Sequence, residues 1–200
     1  MTEMIEINAG TPLNRNQRWN SFLAIGMVFV MLFFGLSLRA GNLNATQQFE
    51  DLEAGVRAQI PVGWLLDNNS SEYIFRVQDP DALPFKTLMQ VSVMTVGPDA
   101  TPNTILDILN IQRAPRLSNY QELSRTDMFL RDDEAKRMTY AYTEFERNPF
   151  QSSVPLVIQG IDVVVLRPGE AVIITYREER TVFEDNRYRF ENLLATVEIF

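Results

Sequence analysis

Three hydrophobic periodicities divide the chain. The first is a continuous run: residues 19–38 (WNSFLAIGMVFVMLFFGLSL) are twenty uncharged, mostly apolar positions in succession. At about 1.5 Å of rise per residue they predict a helix of roughly 30 Å, the thickness of a bilayer's hydrocarbon core. Arg15 and Arg18 precede the run, Trp19 stands where an interfacial aromatic belongs, and Arg39 closes it. A cleavable signal peptide has a shorter apolar stretch ending in a small-x-small site. Here Leu38-Arg39-Ala40 offers a bulky residue and a charge instead. The expectation is an uncleaved anchor over 19–39 behind a short cytoplasmic tail, 1–18. Two arginines flank each side (15 and 18, 39 and 57), so charge leaves the orientation tied. A short tail ahead of one span favours a C-terminal domain outside the cell membrane, periplasmic or extracellular.

The second periodicity is alternation. Strands are expected over 56–60, 72–78, 88–96, 121–131, 137–146, 156–166 and 171–177; in 88–96, for example, Met89, Val91 and Val93 share one face and Gln90 and Ser92 the other. Turn signals separate them at Asp79-Pro80-Asp81, Gly97-Pro98-Asp99, Arg131-Asp132-Asp133 and Arg167-Pro168-Gly169. Such short turns imply antiparallel hairpins. The third periodicity is helical. Thr101 followed by Pro102 predicts a capped helix running to Pro115, and Thr181 with Glu184 reads as a capping box opening a helix with the stripe Phe190, Leu193, Leu194 and Val197. The fold class is α+β: a twisted antiparallel sheet covered by a mid-chain and a C-terminal helix. Residues 40–55, polar with few apolar positions, are expected to be a linker or stalk, leaving 56–200 as the domain.

Composition narrows the chemistry. The chain has no cysteine and no histidine, which removes disulfides, thiol nucleophiles, zinc fingers and histidine-based acid–base catalysis. Its net charge is −8, of which residues 40–200 carry −9. That field disfavours nucleic acid as a partner. The acidic groups Asp79/Asp81, Asp132/Asp133/Glu134, Glu178/Glu179 and Glu184/Asp185 lack calcium-loop spacing and fall at expected turns and helix starts. No phosphate-loop, dinucleotide or nucleophile-elbow motif is present. No catalytic residue, metal or cofactor is therefore expected.

Three segments resemble the PsbP-like superfamily: Arg57-Ala58-Gln59-Ile60-Pro61-Val62-Gly63-Trp64, Arg167 through Tyr176, and Phe183 through Phe200. The resemblance implies a small α-β-α sandwich over about 53–200 that serves a membrane complex as a non-catalytic accessory subunit, with integral membrane proteins as partners. It brings no manganese or calcium role, because the histidine used for metal contact in photosynthetic relatives is missing. An alternative it implies is a tethered module for a small apolar ligand or lipid. Candidate partner contacts are Trp64, Leu65 and Phe150, the last in a proline-containing loop where no periodicity requires it. Trp64 is first of all suited to closing the end of the core with its large apolar area, with partner contact the lesser alternative. Gly26 and Gly35 are candidates for close packing within the membrane.

Overall fold

The computed structural model describes residues 14–43, 45–145 and 154–200. The chain divides into two compact units, the second beginning at Thr46. In the first, helix α1 runs over Arg15–Leu43. Its apolar stretch, Arg18–Leu38, has a mean hydropathy of 2.4 and buries none of its side chains. A core helix of a water-soluble domain hides one face; the stretch Arg18–Leu38 hides none.

The second unit holds two antiparallel sheets. Strands β1 (Thr46–Asp51), β2 (Val56–Pro61) and β10 (Glu198–Ile199) form the smaller, in the order β1-β2-β10. The larger has seven strands in the order β3-β4-β5-β9-β8-β7-β6: β3 (Leu65–Asp67), β4 (Phe75–Gln78), β5 (Leu88–Thr95), β6 (Ser118–Leu130), β7 (Asp133–Phe145), β8 (Pro155–Arg167) and β9 (Glu170–Glu179). Helix α2 (Pro102–Arg113) separates β5 from β6, and α3 (Phe183–Thr196) follows β9. The β6–β7 hairpin closes on Arg131 and Asp132, with Leu130 opposite Asp133. Arg131 has φ +56°, as a two-residue hairpin turn demands.

The two faces of the large sheet carry two cores. On one, Phe75, Met89, Val163, Ile174 and Tyr176 meet α3 through Phe183, Phe190 and Leu193, and meet the small sheet through Phe49, Ala58 and Ile60. On the other, Met138, Tyr140, Ile158, Val164 and Ile173 meet Ile105, Leu106 and Leu109 of α2. This explains why β9 is buried at every position from Ala171 to Tyr176: covered on both sides, a central strand reads as a continuous apolar run.

Three expectations are corrected. Residues 46–51, read as part of the stalk, form β1, which pairs with β2 along its whole length. Only Phe49 of β1 is buried, so a polar strand with one inward side chain left no alternation to detect. Helix α3 is not opened by a capping box at Thr181: its N-cap is Val182, without a side-chain cap bond, and Thr181 Oγ1 instead donates to Glu179 at 2.8 Å. By contrast α2 has the full reciprocal cap between Thr101 and Thr104 with Pro102 in its first turn. Finally, Glu178, grouped with acids at turns and helix starts, lies inside β9 and is 1% exposed.

Candidate ligand pocket and buried polar network

The polar centre of the domain lies on the α2 face, where β7, β8 and β9 are adjacent. Register places Tyr140 (β7), Gly160 (β8) and Arg177 (β9) in one row, with Asp162 and Thr175 paired in the next row along β8 and β9. Gly160 leaves the space that the Tyr140 ring occupies. A Cβ built there would lie 2.3 Å from Tyr140 Cζ. Above the missing side chain, Arg177 Nε donates to Tyr140 Oη at 3.1 Å.

Asp162 is completely buried and held from two sides. Arg113, the last residue of α2, donates to both carboxylate oxygens, with Nη2 3.1 Å from Oδ1, and Thr175 Oγ1 donates at 2.7 Å. The Arg113 guanidinium also lies 4.5 Å from the Tyr140 ring centroid. Burial works against its charge, but Asp162 outweighs that and holds Arg113 firmly protonated. Tyr120 donates to Asn110 of α2, which in turn donates to Glu122. Burial pushes Tyr120 up to about 12 and raises Tyr140 and Tyr142 as well, so all three phenols stay neutral at physiological pH. Among the described residues, no carboxylate pairs with Arg177.

Arg177 and Tyr142 form the floor of a lateral cavity of about 650 Å³ beyond the C-terminal end of α2. Its walls include Phe85, Leu117, Phe145 and Leu156, and its mouth carries Arg116, Ser118, Thr143 and Glu144. The volume lies within the range of about 300–1,000 Å³ typical of small-molecule sites, and the lining mixes apolar and polar side chains.

A second buried polar cluster occupies the α3 face. Thr87 Oγ1 donates to Glu178 at 2.5 Å, Asn186 Nδ2 at 3.2 Å and the Glu179 amide at 3.1 Å. No cation pairs with Glu178 among the described residues, and burial raises its pKa despite these donors. Nearby, Arg189 donates to Asp79 at 3.0 Å.

No protein-family profile and no curated protein sequence matches the chain. Solved structures do. The solution structure of the cyanobacterial PsbP protein CyanoP from Synechocystis sp. PCC 6803 superposes with a TM-score of 0.56 at 10% identity, covering 78% of this chain and 93% of that one. LpqN, involved in cell envelope biogenesis of Mycobacterium tuberculosis, gives 0.55 at 11% identity, with 78% and 90% covered. The Ran-binding protein Mog1p of Saccharomyces cerevisiae gives 0.50 at 6% identity, with 78% and 95% covered. The domain has the PsbP-like fold.

Within this PsbP-like domain the resembling segments are scaffold. The first is β2 and the turn to Trp64, the second the β8–β9 hairpin, the third α3 with β10. Trp64 is 9% exposed and belongs to the core, with Arg189 stacked 5.6 Å from its ring. The expectation of a partner-facing tryptophan is therefore corrected: its large apolar area is spent inside. Leu65, next to it on the edge strand β3, is 55% exposed. Phe150 lies outside the described residues. Gly26 and Gly35 both have open space where a Cβ would stand. Nine residues at 3.6 per turn put them on opposite sides of α1, so they do not form one packing stripe.

The expected surface acids serve the scaffold: Asp79 accepts from the Asp81 amide at 3.0 Å, and Glu184 pairs with Arg187 at 2.8 Å. The network of Arg113, Asp162, Tyr140 and Arg177 was not singled out from sequence, yet one signal was visible. Asp162 interrupts the apolar run Ile161-Asp162-Val163-Val164-Val165-Leu166, and a carboxylate in a buried strand requires a partner.

Proposed function

We propose that the chain is a membrane-tethered, non-catalytic accessory or assembly subunit of a larger membrane complex, acting through a PsbP-like domain outside the cytoplasm. The observation that carries this reading is α1: a helix long enough to span a bilayer, uncharged and mostly apolar from Trp19 to Leu38, with no side chain buried over Arg18–Leu38. Exposed apolar surface of this extent is stable only in lipid or against another protein. Support also comes from LpqN, which is involved in cell envelope biogenesis and shares the fold. Mild-detergent solubilisation followed by native sizing and identification of co-purifying proteins tests it. The expected result is a particle well above the monomer that contains an integral membrane partner. A bare monomer in its micelle contradicts it.

A second reading, a tethered small-ligand module, is favoured by one specific observation. The domain has a lateral cavity that combines apolar side chains (Phe85, Leu117, Leu156) with a mostly buried arginine, Arg177.

A further inference from the structure

Arg177 is the unusual group of this cavity. Its Nε is engaged by Tyr140, and no carboxylate pairs with it among the described residues. Asp162, the nearest buried acid, is already neutralised by both guanidinium nitrogens of Arg113. The neighbouring phenols are neutral, so they satisfy hydrogen bonds without supplying charge. Arg116 and Glu144 also line the cavity, one charge of each sign. Among the described residues the local balance is one uncompensated positive charge in a cavity of mixed lining, inside a domain that is otherwise strongly acidic. A mostly buried cation without a counter-ion is costly, and a guanidinium matches a planar carboxylate in both charge and fork geometry. A phosphate dianion would leave one negative charge unmatched next to Glu144.

We propose that the cavity takes a small amphipathic monoanion, with its carboxylate on the Arg177 guanidinium and its apolar body against Phe85, Leu117 and Leu156. The inference rests on the small-ligand reading and adds the charge and the contact that select the ligand. Arg113 acts as a positioning residue: by neutralising Asp162 it keeps Arg177 free for the ligand.

The test uses the full chain in zwitterionic-lipid nanodiscs. Equilibrium dialysis measures binding of decanoate and of decanol, and empty discs correct for partitioning into lipid. The wild type is expected to bind decanoate at one saturable site, about ten- to a hundredfold tighter than decanol, the range for a charge-assisted hydrogen bond. R177Q should remove that preference while leaving decanol binding in place. L156W, which fills the cavity without touching Arg177, should abolish saturable binding of both. Inorganic phosphate should compete poorly. Equal binding of decanoate and decanol by the wild type overturns the assignment of charge and leaves the small-ligand reading standing. No saturable binding of either overturns both. Wild-type affinity in L156W places the site elsewhere and overturns the proposal, as does strong competition by phosphate. Because the wild-type comparison needs no variant, a poorly folding R177Q does not protect the proposal.

Discussion

Gly160→Ala places a methyl group where the ring of Tyr140 now lies. The new Cβ would sit 2.3 Å from Tyr140 Cζ, 2.6 Å from Oη and 2.7 Å from Cε2, against an ordinary carbon contact of about 3.5–4.0 Å. The ring must give by more than about an ångström, and its surroundings resist. Tyr140 is fully buried, Arg113 lies over its face, Tyr120 and Tyr142 stand 5.5 and 6.4 Å away by ring centroids, and Arg177 holds its hydroxyl. If the ring stays, overpacking costs about 1–3 kcal/mol. If it moves, the bond from a charged donor is lost, at about 1.5–3 kcal/mol. Either route gives an expected loss of about 1–3 kcal/mol and, for a domain of this size, a fall in Tm of about 2–12 °C. Thermal unfolding followed by Trp64 fluorescence in a Trp19→Phe background measures it. Tyr140→Phe removes one of the clashing atoms, so the double variant should lose less than the sum of the two singles. A loss below about 0.5 kcal/mol, or strict additivity of the cycle, refutes the claim that Gly160 exists to admit this ring.

Other expected outcomes follow from the same geometry. Asp162→Ala leaves a buried guanidinium unpaired and should cost about 3–5 kcal/mol, whereas joint replacement of Arg113 and Asp162 by apolar residues should cost less than that single change; urea titration of the three proteins decides it. Glu178 has a folded-state pKa raised above its usual 4.5 by burial. Its contribution to stability is therefore fully present below about pH 4.5 and is lost as pH rises through the folded pKa. Glu178→Gln should accordingly flatten the decline of Tm with rising pH, and an unchanged slope contradicts the assignment. Thr101→Ala should cost about 1 kcal/mol through loss of the α2 cap, while Thr181→Ala should fall within about 0.5 kcal/mol because Thr181 caps nothing; equal losses refute the difference drawn between the two helix starts.

The large sheet was legible because its strands obey one rule at a time. Leu88–Thr95 alternates, and the turns between hairpins carry proline, glycine or aspartate. The small sheet was not legible, because β1 buries only Phe49 and β10 has two residues; each is defined by its partner β2 more than by its own pattern. The same logic separates the two helix starts. At Thr101 the local signal and the tertiary structure agree, whereas at Thr181 the hydroxyl is engaged by Glu179 of β9. The candidate cavity was hidden for a different reason. Phe85, Leu117, Tyr142 and Arg177 are far apart in sequence and meet only in the folded domain, and the neighbouring slot left by Gly160 is filled by the Tyr140 ring. Asp162 alone betrayed that a buried cation had to lie nearby.

The central claim is that α1 remains attached and holds the domain at a membrane. Fractionation of cells expressing the chain, with alkaline carbonate extraction and the intact mass of the extracted protein, tests it most directly. The expected result is a chain that resists extraction and retains residues 19–39 in its mass. A product shortened near residue 40 and recovered in the soluble fraction contradicts it.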